Sequence, residues 1–253
     1  MIEVKHLTKD YGKVIGANDV NLVARPGEIT ILLGGNGAGK STTIKSIIGL
    51  LKFKGEITIC GQPNLSVEAK RNFGYIPETP VLYDLLTIKE HIDFIGNSYG
   101  IPDYEAKADK YLALFKIKDK KTTIAKELSK GMRQKLSMTL ALMVEPKALL
   151  VDEPMMGLDP NSIQDTLTIM QLLKKQGTSI LMSTHIIDMV DDIWDHAYIM
   201  KKGQVLADVM RHELTDKSLK ELFFELNEDE ESSQLLSEEL TGMKEGVSSE
   251  ATY

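Results

Sequence analysis

The nine residues from 34 to 42, GGNGAGKST, place four glycines and an alanine ahead of a lysine and two hydroxyls. Glycines let successive backbone N–H groups turn inward around phosphate oxygens. Gly34, Gly35, Asn36, Gly37, Ala38 and Gly39 form that cradle, and Lys40 adds charge near the outer phosphates. Ser41, with Thr42 beside it, offers a hydroxyl for Mg²⁺. The run follows an apolar strand, EITILLG, and opens a helix from about Ser41 to Leu51. This strand–loop–helix setting is the one a phosphate-binding loop requires, and the helix N-terminus adds partial positive charge. The chemistry implied is binding of a nucleoside triphosphate with its metal.

Two further strands end in groups that suit this chemistry. ALLVDEP closes an apolar run on Asp152 and Glu153. In open α/β sheets, ligands sit beyond the carboxyl ends of the strands, so both carboxylates emerge at the edge that carries the loop. Mg²⁺ takes one or two carboxylates plus waters and phosphates, a place for Asp152. Glu153 is then free to orient or deprotonate a water for attack on the γ-phosphate. SILMSTH ends a third strand on His185, placed to contact the γ-phosphate or that water.

KELSKGMRQK, residues 126 to 135, poses a puzzle. Gly131 costs a helix about 1 kcal/mol relative to alanine. Lys130 has the wrong sign for a helix N-terminus. Both make sense if an anion docks there. Ser129 caps the helix, the N–H groups of Lys130 and Gly131 stay free, and a side-chain-free Gly131 admits a phosphate to the backbone. Ser129 lies far along the chain from Lys40, so the phosphate is expected to be one held by a second copy. A two-fold arrangement would give two identical composite sites. A plain serine-capped helix is the simpler reading, and it leaves Lys130 and Gly131 unexplained.

Two alternating stretches, IEVKHL and NDVNLVAR, open the chain. GEITICG and NFGYIP read as strands. From about Thr87 to Val144 the period becomes helical, with helices stopping at Gly100, over Pro102 to Phe115 and over Ser129 to Val144. Strands then return at ALLV and SILMST, separated by a helix over about Ser162 to Gln176. A helix to about Trp194, a hairpin turned at Lys202-Gly203 and a last helix to about Leu226 follow. Unbroken apolar strands followed by helices predict a mostly parallel sheet covered on both faces. The fold class expected is α/β, with an N-terminal antiparallel β subdomain and an inserted α-helical subdomain at about 85–145. The main domain runs over 1–226.

The 253 residues are 42% apolar and 26% charged, ordinary for a globular protein. The single cysteine, Cys60, excludes an intrachain disulfide. The opening residues lack the pattern of a signal peptide, and no apolar run reaches the roughly 18 residues of a membrane span. The net charge of −7 resides in residues 227–253, which read as a solvated, flexible tail. The remainder sums to zero, so no nucleic-acid partner is expected.

These motifs resemble, in order, those of the nucleotide-binding subunit of ABC transporters. LSKGM with RQK resembles the family signature, GLDP (157 to 160) the D-loop, and His185 the switch histidine. Tyr11 matches the aromatic residue that stacks on adenine. The resemblance implies a P-loop NTPase that binds ATP and Mg²⁺, with Asp159 of the D-loop at the nucleotide. It also implies an ATP-sandwich dimer, homo- or heterodimeric, that drives a separate membrane permease from the cytoplasmic face. YIPETPVLYDLLT, LSKGMRQK and ELFFEL are further similar to Ecs-type exporter ATPases of the ABC-2 group.

The chain departs from the family at three positions. Gly35 stands where proline is frequent, Met132 where glutamine often ends the signature, and Glu78 where glutamine links core to insertion. As a carboxylate, Glu78 can still ligate Mg²⁺ or water. The apolar PVLYDLL run predicts that a permease helix docks near Glu78, Tyr83, Leu85 and the helix from Thr87. The alternative is a permease-independent, nucleotide-switched module acting on another macromolecule. A P-loop kinase leaves LSKGM and GLDP without a role.

Overall fold

The computed structural model of the chain describes residues 1–155 and 157–227. Two antiparallel strands open it, β1 (Ile2–Asp10) and β2 (Ile15–Ala24). The apolar run β3 (Ile29–Leu33) is buried throughout and leads through the phosphate loop into α1 (Lys40–Ile47). β4 (Lys54–Ile59) and the short β5 (Gln62–Pro63) return to the first sheet. α2 (Val67–Asn72) then delivers the chain to β6 (Phe73–Ile76).

Three helices form the insertion: α3 (Ile88–Tyr99), α4 (Tyr104–Leu114) and α5 (Lys130–Leu142). α3 starts at a capping box. Thr87 Oγ1 accepts from Glu90 N at 3.1 Å, and Glu90 Oε2 accepts from Thr87 N at 2.7 Å. It stops where Gly100 turns left-handed at φ 62°. The core resumes with β7 (Ala148–Asp152), α6 (Pro160–Lys175) and β8 (Ser179–Thr184). The hairpin β9 (His196–Lys201) and β10 (Gln204–Met210) completes it. A division into compact units falls between Leu214 and Thr215. Beyond it lies α7 (Leu219–Asn227), whose start is braced by Ser218 N donating to Glu221 Oε2 at 2.7 Å.

Among the described residues the strands make two sheets, β2-β1-β4-β5 and β10-β9-β3-β8-β7-β6. The first is antiparallel. In the second, β9, β3, β8, β7 and β6 run parallel and only β10 is antiparallel. α1 packs against β1 and β2 on one side and β7 and β8 on the other. One apolar core therefore joins the sheets through α1, from Ile2, Leu22 and Ile59 to Leu32, Ile44, Leu150 and Leu181. Each such side chain, fully buried, contributes about 1.5–3 kcal/mol. No described helix is long and apolar enough to cross a membrane.

Three local expectations change. The helix over Ser41 to Leu51 ends at Ile47, because Gly49 turns left-handed at φ 82°. α2 was not expected, since VEAKRN carries little apolar period. It is held by Ser66 Oγ accepting from Ala69 N at 3.1 Å. The helix to Trp194 is not an α-helix. Residues Ile187–Met189 form a 3-10 turn, and Val190 N and Ile193 N each donate to the carbonyl three residues back. The buried Ile187, Val190 and Ile193 recur every third residue, the period of a 3-10 and not an α-helix. The acidic tail, beyond Asn227, lies outside the described residues, as does Met156.

Candidate active site

The parallel strands aim three groups at one edge. β8 lies between β3 and β7, so the phosphate loop, Asp152-Glu153 and His185 follow neighbouring strands. A cleft of about 430 Å³ opens there, lined by Tyr11, Val14, Gly16, the loop from Gly35 to Thr42, Glu78, Glu153 and His185. Gly39 is the N-cap of α1 at φ 105°, and no side chain caps the helix. Its first N–H groups are left for an anion.

Lys40 is buried, and its Nζ donates to Gly34 O at 2.7 Å and Gly35 O at 3.3 Å. The ammonium also lies 3.3 Å from Glu153 Oε1. The other oxygen of Glu153, Oε2, is 2.9 Å from His185 Nδ1. Glu153 adopts φ 47°, a left-handed turn rare for this residue type. That turn swings its carboxylate from the strand end into the cleft.

Asp152, 1% exposed, sits beneath the loop. Its Oδ1 accepts from Ser41 Oγ at 3.1 Å and from Ser183 Oγ at 2.6 Å. A hydroxyl beside a carboxylate is an all-oxygen donor set, which suits Mg²⁺. Glu78 lines the cleft, but among the described residues no group of three His, Cys, Asp or Glu side chains is arranged to hold a metal ion. Glu78 shares the cleft with Glu153. Tyr75, on β6, feels two of these acids: burial pushes its phenol pKa up, and the charges of Asp152 and Glu78 push it further.

Tyr11 stands at the cleft mouth, 52% exposed. Its hydroxyl is 3.5 Å from Thr42 Oγ1, and Lys9 Nζ lies 4.8 Å from its ring centroid. The ring is thus presented as a platform with one face toward a cation.

Ser129, Gly131 and Asp159 do not line this cleft. They gather elsewhere. Ser129 Oγ accepts from Met132 N at 3.3 Å as the cap of α5. The stem of Lys130 lies so close to Gly157 that a Cβ there would stand 2.9 Å from Lys130 Cε. Asp159 caps α6, accepting from Ser162 N at 3.0 Å and Ser162 Oγ at 2.5 Å, with Lys135 Nζ 3.9 Å away. Those hydrogen bonds hold its carboxyl below the usual range.

Two contacts had no sequence signal. Ser183 is one hydroxyl at the end of an apolar strand. Gln134, 1% exposed, donates from Nε2 to Pro77 O at 3.2 Å and so ties α5 to the segment that carries Glu78. Neither residue type in its local run announces such a partner.

Phosphate loop, strand-end acids and parallel sheet together define a P-loop nucleoside triphosphatase. Comparison with known proteins narrows this class. The family model described as ABC transporter matches residues 17–156. The chain is 37% identical to the ABC-type transporter ATP-binding protein EcsA of Bacillus subtilis, over 91% of this chain and 98% of that one. It is 32% identical to the SkfA peptide export ATP-binding protein SkfE of Bacillus subtilis, over 83% and 89%. A solved ATP-binding subunit of an ABC transporter, 38% identical, superposes with TM-score 0.85 over 90% of this chain and 100% of that one. The chain belongs to the ABC transporter family and carries its ATPase domain.

Proposed function

We propose that the chain binds and hydrolyses ATP as the motor subunit of a membrane exporter, paired with a second ATPase subunit and a separate permease. The observation that carries this reading is the convergence of Lys40, Ser41, Asp152, Glu153 and His185 on one edge of the parallel sheet. The loop amides and Lys40 hold the phosphates, and Tyr11 stacks on the base. An incoming phosphate competes with Gly34 O, Gly35 O and Glu153 for the Lys40 ammonium. Ser41 and Asp152 would hold Mg²⁺, which would neutralise charge on the phosphate oxygens. Glu153 accepts the proton of the water whose oxygen attacks the γ-phosphorus, while the bond from that phosphorus to the β–γ bridging oxygen breaks and ADP leaves. His185 holds that carboxylate in place through Nδ1.

Pairing with a second ATPase subunit is supported by the position of Ser129, Gly131 and Asp159 outside the cleft of their own chain. There they are available to nucleotide held by another subunit. Permease docking is supported by an apolar groove of about 420 Å³, whose walls include Leu50, Phe73, Val81, Leu82, Tyr99 and Leu140. Val81 is 89% exposed and Leu50 68%, surface that a partner helix can cover. Tyr83 and Leu85, exposed at 59% and 73%, follow Val81 and Leu82 in the chain and extend this apolar surface along the expected docking face. Export is favoured by the name of the SkfE relative, and the working position is the cytoplasmic face of the membrane.

Glu153→Gln removes the proton acceptor and keeps the phosphate ligands. With Mg²⁺–ATP and permease, light scattering should show an accumulating two-chain ATP-bound species, with turnover lost. Lys40→Ala should weaken nucleotide binding. Unchanged hydrolysis in Glu153→Gln overturns the assignment of the base.

A further inference from the structure

We infer that Ser183 is a positioning residue that holds the carboxylate of Asp152 and the backbone amide of Glu153 through a single hydroxyl. The inference rests on the nucleotide-hydrolysis reading above. Ser183 is fully buried on β8, directly opposite Asp152 in the parallel register with β7. Its Oγ donates to Asp152 Oδ1 at 2.6 Å and accepts from Glu153 N at 3.1 Å. The donor–acceptor order is therefore one way, from amide to hydroxyl to carboxylate, and such chains polarise each member.

The need for Ser183 follows from its neighbour. Asp152 Oδ1 has two hydroxyl donors, Ser183 and Ser41. Ser41 is the residue whose hydroxyl would be drawn to Mg²⁺, and so away from Asp152, if the metal were held there. Ser183 then remains as the fixed donor to a carboxylate that is 1% exposed. It would fix the orientation in which Asp152 is offered to the metal. A ligating carboxylate without its hydrogen-bond partner typically loses about 10–100-fold in metal affinity. The same hydroxyl steadies the amide of Glu153 at its left-handed turn, where Ser183 O is a longer acceptor at 3.3 Å.

The test is a Mg²⁺ titration of fluorescent ATP-analogue binding to the full chain, with the same binding measured in EDTA. Ser183→Ala should raise the half-saturating Mg²⁺ concentration about tenfold while binding in EDTA stays near wild type. Ser183→Cys keeps the volume and a weak S–H donor and should fall between them. It also carries the test if the alanine chain does not fold. A titration at the wild-type midpoint in either folded variant overturns the inference. A wild-type chain that binds no nucleotide, or binds it without any response to Mg²⁺, overturns the reading beneath it, so the two failures are told apart.

Discussion

Alanine placed in turn at Gly35, Gly37 and Gly39 should give three different results from one loop. Gly35 has no positive φ, and no atom lies within 4 Å of an added Cβ. Its replacement should stay within about 0.5 kcal/mol of wild type. Gly37 also has open space, but sits at φ 79°, so alanine there costs about 1–2 kcal/mol of left-handed strain. Gly39 combines φ 105° with a Cβ that would stand 2.5 Å from Gly16 O and 3.1 Å from Gly203 Cα. The oxygen contact is about 1 Å inside a comfortable separation. Both neighbours are backbone, so no rotamer relieves them, and overpacking adds about 1–3 kcal/mol. The sum is about 2–5 kcal/mol, read as the shift of the urea midpoint without nucleotide. Binding should follow the same order. Gly16 supports the Tyr11 ring, since a Cβ there would meet Tyr11 Cε2 at 2.6 Å. Displacing Gly16 therefore disturbs the base platform as well as the phosphate loop. Gly35→Ala keeps every loop amide and should disturb ATP-analogue binding least of the three. The reasoning is refuted if Gly35→Ala is as damaging as Gly39→Ala, or if Gly37→Ala is the costliest of the three.

Ser129→Ala removes the cap on α5 and should lower stability by about 1 kcal/mol, read by urea denaturation. It should also weaken ATP-driven pairing, read by light scattering in the Glu153→Gln background. Asp159 has its carboxyl pKa depressed by hydrogen bonds from Ser162. Its ionised form therefore adds stability above the unfolded value near 3.8, and that stability is lost as pH falls through the lower folded value. Asp159→Asn cannot titrate, so its thermal midpoint should approach that of wild type as the solution is acidified through this window. Val81→Asp puts a charge on the groove rim and should weaken permease association at least about tenfold, measured by copurification and titration, with ATP-analogue binding unchanged.

Much of the site was legible because its chemistry is local. The phosphate loop needs only a strand, glycines and a helix in sequence. Asp152, Glu153 and His185 each end an apolar run that is buried in the structure as its pattern required. Strand order was not legible, and with it went Ser183, which matters only because β8 lies beside β7. Gln134 was hidden for the same reason, its acceptor being Pro77, far back in the chain. The segment after His185 misled because Ile187, Val190 and Ile193 satisfy a helical pattern loosely and a three-residue turn closely. In the short α2 the cap at Ser66 governs, and no periodicity reveals it.

The Gln134–Pro77 link joins a helix of the groove wall to the residue just ahead of Glu78, which lines the cleft. Ser137, Leu140 and Ala141 of α5 face the groove, and Gln134 sits about one turn earlier on the same helix. A shift of α5 caused by whatever fills the groove would therefore be felt first at the Pro77 carbonyl, next to Glu78 in the cleft wall.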